Sequence, residues 1–227
     1  TVVSLAPAYL GILDYEKPGQ VVDALLKLGF SEVRETAEGA AYVTEAYTKL
    51  LEAGQMKNII STCCPSVNEL VEKYYPELVE DMAPVVSPMV AHGKLIKAMY
   101  GPDVKVVFIG PCIAKKQEAE GDDRTTGFVD AVLNFEEVES WLQERDISIR
   151  KCEEKQPANP DPKVNRLYPV TSGVISSVLA KKKVDSYKKI FVDGIEDCRE
   201  VFEDMKKGLI EGCFIEANMC EGGCVKG

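Results

Sequence analysis

Short apolar runs rich in β-branched residues alternate along this chain with longer segments whose apolar positions recur at helical spacing, and this alternation restricts the fold more than any other feature. "TVVSL" at residues 1–5 precedes the helical pattern "QVVDALLKLGF", in which Gly29 is placed to stop the helix. "SEVRET", "KNIISTCC", "DVKVVFIGPC", "DAVLN", "KKIFVDG" and "CFIEANMC" read as further strands. Between them lie helical patterns such as "GAAYVTEAYTKLLEAG", "PSVNELVEKYYPELV", "MVAHGKLIKAMYG", "TSGVISSVLAKKK" and "IEDCREVFEDMKKG". Pro65 suits the first turn of one helix, and Asn134 is a cap candidate for the helix "FEEVESWLQE". Strands joined through helices of this length predict an α/β fold of mainly parallel sheets flanked by helices. The turn residues "YGPD" at 100–103 divide the chain into a first lobe, 1–101, and a second, 102–227.

A chain of 227 residues, 45% of them hydrophobic, can bury a core without disulfides. Its net charge of -10 argues against nucleic acid or an anionic membrane surface as the main partner, because both demand a concentrated basic face. No apolar run reaches the ~18 residues needed for membrane insertion, no leader pattern opens the chain, and a cytoplasmic location is expected. Eight cysteines in that compartment point to metal or redox chemistry.

The cysteines fall where such chemistry belongs. Cys63 and Cys64, Cys112, and the pair Cys220 and Cys224 all follow predicted strands at their C-terminal ends, the edge at which open α/β sheets bind ligands. Three distant segments are thus expected to converge on one site. In "CEGGC" at 220–224 two glycines let the backbone turn around a bulky group, so the pair can hold two corners of an iron–sulfur cluster or half a zinc site. "GPCIAKK" adds a third thiolate beside Lys115 and Lys116, whose charges favour the ionised form and would offset an anionic cluster. One member of the Cys63–Cys64 doublet brings the number of thiolates to four, the usual complement of a four-iron cluster. Adjacent side chains point in different directions, so the doublet should divide its labour. Cys152, Cys198 and Cys213 read as ordinary small hydrophobes, and the single histidine, His92, as a helix residue rather than a ligand.

Taken together, "STCCPSV", "GPCIAKKQEAE" and "FIEANMCEGGCVKG" resemble, in order and separation, the three signature segments of the iron-only (FeFe) hydrogenase catalytic domain, approximately TSCCPxW, MPCxxKxxE and ExMxCxxGCxxGG. "SLAPA", "FVDAVLNFEEV" and "YPVTSGVISS" extend the likeness over essentially the whole chain. The resemblance implies that Cys64, Cys112, Cys220 and Cys224 ligate a 4Fe-4S cubane. It further implies that Cys224 bridges to a two-iron subsite carrying carbon monoxide, cyanide and an azadithiolate. This is the H-cluster, in a cleft between the lobes. Lys115 matches the lysine that hydrogen-bonds a cyanide, and Ala6, Pro7 and Ala8 match the loop enclosing the two-iron group. Cys63 matches the thiol that passes protons to the bridgehead amine, a task suited to a group that both donates and accepts.

The resemblance implies an oxidoreductase that interconverts protons and hydrogen. Its expected partners are hydrogen and protons, a redox partner such as ferredoxin or an associated iron–sulfur domain, and the maturation proteins that install the cluster. Several positions depart from the pattern. Gly110 and Asn218 stand where methionines are usual, and Met89 replaces a glutamine; all three tune the surroundings of the metal. The family's proton route beyond the thiol runs through glutamate and serine, whereas alignment by eye puts Ala46 or Tyr47, and Ala83, in their places. Glu45, Glu118 and Glu216 are the carboxylates nearest to a substitute route. The N-terminal ferredoxin-like clusters of many members are absent, which fits a compact member or a domain of a longer protein. Two alternatives follow: a hydrogen-sensing module using the same cluster, or a 4Fe-4S protein lacking the two-iron subsite.

Overall fold

The computed structural model describes residues 1–121, 125–159, 163–183 and 185–226. The elements follow the alternation of the sequence. β1 (Val2–Leu5) leads into the short α1 (Tyr9–Ile12), and α2 (Gly19–Lys27) into β2 (Glu32–Glu35). They are followed by α3 (Ala37–Ala53), β3 (Ile59–Ile60), α4 (Pro65–Tyr74) and α5 (Pro88–Tyr100). Next come β4 (Val106–Ile109), α6 (Ala114–Glu120), β5 (Ala131–Leu133) and α7 (Phe135–Glu144). The chain continues through α8 (Gly173–Lys181), β6 (Lys188–Asp193), α9 (Ile195–Lys206) and β7 (Cys213–Asn218). Asn134 caps α7 through a reciprocal box with Glu137, as its position before an acidic first turn predicts. Residues 160–162 of the proline-rich segment lie outside the described residues.

The chain forms two compact units, and each is built from two separate stretches: residues 1–39 with 88–163, and residues 40–87 with 164–227. This corrects the division at 101/102, which falls inside the first unit. The reason is sheet pairing: β4 lies beside β1 and parallel to it, with Leu5 opposite Ile109, so the chain after residue 101 rejoins the sheet that opened it. Turn chemistry at 100–103 marks only the connection from α5 to β4.

In the first unit the order is β2-β1-β4-β5, with every pairing parallel. Val2, Val3 and Leu5 of the central strand are buried, which is why that strand reads as a continuous apolar run rather than an alternating one. His92 on α5 is wholly buried. Its Nδ1 meets Ser4 Oγ at 2.7 Å and its Nε2 meets Glu38 Oε2 at 3.1 Å, and Arg34 forks onto the same carboxylate. Burial drives the imidazole below its usual range despite the Glu38 contact, so it serves as a neutral core residue.

In the second unit the order is β3-β7-β6, again all parallel. The two faces of β7 differ. Cys213, Ile215 and Ala217 join an apolar cluster with Val67, Leu70 and Val71 of α4 and Cys198 and Phe202 of α9. Alternation along the strand sends Phe214, Glu216 and Asn218 to the opposite face. There the Phe214 ring lies 5.4 Å from that of Tyr47 on α3, and Glu216 reaches the start of α8.

Candidate metal centre

All the cysteines expected to act on a metal follow the C-terminal ends of parallel strands. In the second unit β3 ends at Ile60 and β7 at Asn218, and the two strands are paired, so Cys63–Cys64 and Cys220–Cys224 leave one sheet at the same edge. In the first unit β1 and β4 are paired, and the Ala6 N–H donates to the Ile109 carbonyl at 2.8 Å. The Ala6–Pro7–Ala8 loop and the Gly110–Pro111–Cys112 turn therefore share an edge as well.

The two side chains of the doublet meet different surroundings. Cys64 packs against the apolar cluster of α4 and α9, one residue before the proline that starts α4. Cys63 meets the hydroxyl of Tyr47, with Sγ to Oη at 3.8 Å, on the α3 side. Tyr47 is wholly buried and its hydroxyl is well braced: it accepts the Thr62 N–H at 2.9 Å and lies 3.3 Å from Thr62 Oγ1. Thr62 in turn donates to the Val85 carbonyl at 2.6 Å. Burial first, and then the charge of Cys63, hold the Tyr47 phenol well above its usual range, so it stays protonated. Tyr168, whose hydroxyl is 2.8 Å from Thr44 Oγ1, is raised in the same way and also feels Cys63.

The loop 220–224 is built for a tight wrap. Gly222 and Gly223 have φ of 80° and 81°, and the Gly223 N–H closes onto the Cys220 carbonyl at 3.0 Å. A Cβ on Gly223 would stand 2.4 Å from the Pro169 carbonyl oxygen. Asp193 pins the loop by accepting the Gly222 N–H at 3.1 Å. None of the eight cysteines is disulfide-bonded. Cys152, Cys198 and Cys213 are buried, and burial raises each thiol, Cys198 to about 12, as expected of inert hydrophobes. Among the described residues no three Cys, His, Asp or Glu side chains group tightly enough to grip a single metal ion.

Around Cys112 the two lysines are both claimed by carboxylates, Lys115 by Glu118 at 2.6 Å and Lys116 by Glu137 at 2.5 Å. The Lys115–Glu118 pair is buried at successive turns of α6, a helix that the sequence does not announce because its segment "AKKQEAE" lacks an apolar stripe. Met89 is buried in the first turn of α5. Gly110 is explained by its neighbours: a Cβ there would stand 2.7 Å from the Phe108 ring and 2.9 Å from the Ala6 Cβ. Of the alternative carboxylates, Glu45 is ion-paired at the surface with Lys181 and Lys49, which removes it from any buried route. Glu216 is buried, and its Oε2 accepts the Ile175 N–H at 2.9 Å; burial pushes its carboxyl up to about 7. Ala83 is buried and carries no group that relays a proton.

A family model described as the iron only hydrogenase large subunit, C-terminal domain, matches residues 1–227. Iron hydrogenase 1 of Clostridium pasteurianum is 27% identical over 92% of this chain and 45% of its own length. The periplasmic Fe hydrogenase large subunit of Nitratidesulfovibrio vulgaris is 29% identical over 92% of this chain and 61% of its own length. The chain thus spans roughly half the length of these curated relatives. Among solved structures, a variant of the FeFe-hydrogenase HydA1 from Chlamydomonas reinhardtii superposes with a TM-score of 0.75 at 21% identity, covering 100% of this chain and 78% of the other. A FeFe-hydrogenase structure described as revealing stepwise H-cluster assembly gives 0.73 at 22% identity, covering 100% and 78%. These likenesses establish the fold, parallel sheets flanked by helices. Among the described residues no helix is long and apolar enough to cross a membrane.

Proposed function

The chain belongs to the iron only hydrogenase large subunit, C-terminal domain family, and from that premise we propose that it is an H-cluster domain catalysing the reversible reduction of two protons by two electrons to hydrogen. The observation that carries the reading is the placement of the unbridged thiols of Cys64, Cys112, Cys220 and Cys224 just beyond the C-terminal ends of parallel strands, with Cys63 turned to the other side of its doublet.

The residues fit the group. Four thiols are the donor set of a 4Fe-4S cubane, and the two-glycine loop 220–224 leaves backbone without Cβ atoms beside two of them. Two buried polar atoms near the end of β7, Asn218 Nδ2 and Glu216 Oε1, lack a well-formed hydrogen bond among the described residues, which leaves polar capacity for a guest. In this reading Cys64, Cys112, Cys220 and Cys224 would hold the cubane, and Cys224 would also hold the two-iron subsite. Ala6, Pro7, Ala8, Met89 and Asn218 would line that subsite. Lys115 would donate to a cyanide there, its position set by Glu118. When bound, the cluster supplies the electrons and the metal site at which protons and hydrogen interconvert.

The chain's own residues handle the proton. Cys63 Sγ would hold a proton, and the Tyr47 hydroxyl at 3.8 Å is a group placed to exchange it, since a phenol can donate and accept without ionising. Thr62 continues the line from Tyr47 toward the Val85 carbonyl. The electron partner is a ferredoxin-like protein or an associated iron–sulfur domain, and maturation proteins install the cluster. Eight thiols without a disulfide suit a reducing, cytoplasmic compartment.

A second reading, a hydrogen sensor using the same cluster, draws on the loss of the usual carboxylate relay: Ala83 is mute and Glu45 is held at the surface by Lys181. Hydroxyls conduct protons less readily than carboxylates at neutral pH, so slow turnover is expected on either reading. Protein reconstituted with iron, sulfide and a synthetic two-iron complex tests both: infrared bands of bound carbon monoxide and cyanide should appear, and their absence sinks both. Bands with measurable, even slow, hydrogen evolution favour the enzyme; bands with negligible evolution favour the sensor. A cubane signal without those bands would favour a plain 4Fe-4S protein.

A further inference from the structure

Asn218 closes the polar face of β7. Its backbone is fixed: the carbonyl accepts the Gly194 N–H at 3.0 Å and the Cys198 S–H at 3.5 Å, and the residue pairs in register with Asp193. The side chain projects from this anchored stem two residues before Cys220. It is buried, 8% exposed, and its Nδ2 has no acceptor among the described residues. Glu216, on the same face and 1% exposed, leaves Oε1 unmatched as well. The Asn218 amide is close enough to lower the Glu216 carboxyl somewhat, yet the two make no well-formed hydrogen bond with each other. A primary amide brings two N–H donors, and folded proteins rarely bury such donors without a partner from protein, water or ligand.

The partner can be narrowed by place. The Asn218 side chain lies on the face of β7 that also carries Phe214, Glu216 and, through α3, Tyr47, whose hydroxyl meets Cys63. At the same strand end begins the loop that carries Cys220 and Cys224. The family's methionine at this position offers no N–H. Asparagine replaces it with a donor that can serve an anionic or polarised acceptor bound at that strand end.

We infer that the Asn218 side-chain amide donates a hydrogen bond to an iron-bound carbon monoxide or cyanide of the two-iron subsite, and so tunes the electron density there. The inference rests on the proposed function. A hydrogen bond at the outer atom of such a ligand changes how much electron density the metal pushes onto it, and the stretching frequency reports that change.

The test uses wild type, Asn218→Leu and Asn218→Gln, each with and without the reconstituted cluster. In the loaded proteins, Asn218→Leu should keep every carbon monoxide and cyanide band and shift at least one by several wavenumbers. Asn218→Gln, which restores an N–H, should move that band back toward wild type. A shift confined to cyanide or to carbon monoxide bands identifies the acceptor. In the cluster-free proteins, Asn218→Leu should leave the melting temperature unchanged or raise it, because the amide makes no well-formed hydrogen bond to a described residue. Unshifted bands in Asn218→Leu overturn the inference, and so does a fall of several degrees in the cluster-free melting temperature, which would reveal a structural partner. Absence of bands in the wild type strikes the proposed function instead, and the two failures are therefore distinct.

Discussion

The Tyr47 hydroxyl lies 3.8 Å from the Cys63 thiol and accepts the Thr62 N–H at 2.9 Å, so Cys63 has beside it a phenol held from two sides. The substitution Tyr47→Phe removes one oxygen from a wholly buried ring and leaves its shape otherwise intact. It should lower hydrogen evolution severalfold while the infrared bands stay in place. It should also cost about 1–3 kcal/mol of stability, because the buried Thr62 N–H loses its acceptor. Turnover equal to wild type, measured with a strong reductant, would show that protons leave by another way.

Gly110 and Phe108 form a second coupled pair. With 2.7 Å from a Gly110 Cβ to the Phe108 ring, Gly110→Met should destabilise by about 1–3 kcal/mol through overpacking. Phe108→Ala in the same chain should recover part of that loss, and a double-mutant cycle by denaturant unfolding measures it. Additive losses would mean that the ring is not what keeps the methionine out.

Glu216 makes stability fall as pH rises. Burial pushes its folded carboxyl up to about 7 from the ordinary 4.5, so between those values the folded state holds a proton that the unfolded state has released. The contribution is complete below pH 4.5 and is lost as pH climbs through about 7; its full size is on the order of 3 kcal/mol. Glu216→Gln should flatten this slope in chemical denaturation of the cluster-free protein. An unchanged slope would mean that the buried carboxyl titrates normally.

Glu38 works in the opposite direction. Burial acts to raise its carboxyl, but the hydrogen bonds from His92 and Arg34 prevail and hold it at about 2. Its stabilisation is present above the ordinary 4.5 and is lost as pH falls toward 2. The Glu38→Gln variant should therefore show a shallower acid limb than wild type when unfolding is followed from pH 5 downward, and an identical limb would contradict this.

The strands around the site were legible because each is a short apolar run ending at a cysteine or a small-residue loop, as "KVVFIGPC" and "CFIEANMC" show. That Cys63 and Cys64 would face different surroundings was legible too, since neighbouring side chains diverge. Strand order was not: that β4 returns to β1 depends on pairing between residues about a hundred positions apart, and local turn signals at 100–103 carry no trace of it. Helix α6 is silent in the sequence because it buries Lys115 and Glu118 as a pair instead of an apolar face. Tyr47 could be found only as a position where the usual relay residue is missing. The relay role proposed for it depends on a hydroxyl crossing from α3 to the end of β3, which no spacing reveals.

The central claim is that four of these cysteines hold a cubane and that one of them carries a two-iron subsite beside Cys63. Infrared spectroscopy of the reconstituted protein tests it most directly. The account predicts carbon monoxide and cyanide stretching bands that survive Cys63→Ala and are lost with Cys224→Ala. A reconstituted protein with a cubane signal and no such bands, or bands indifferent to Cys224, would contradict it.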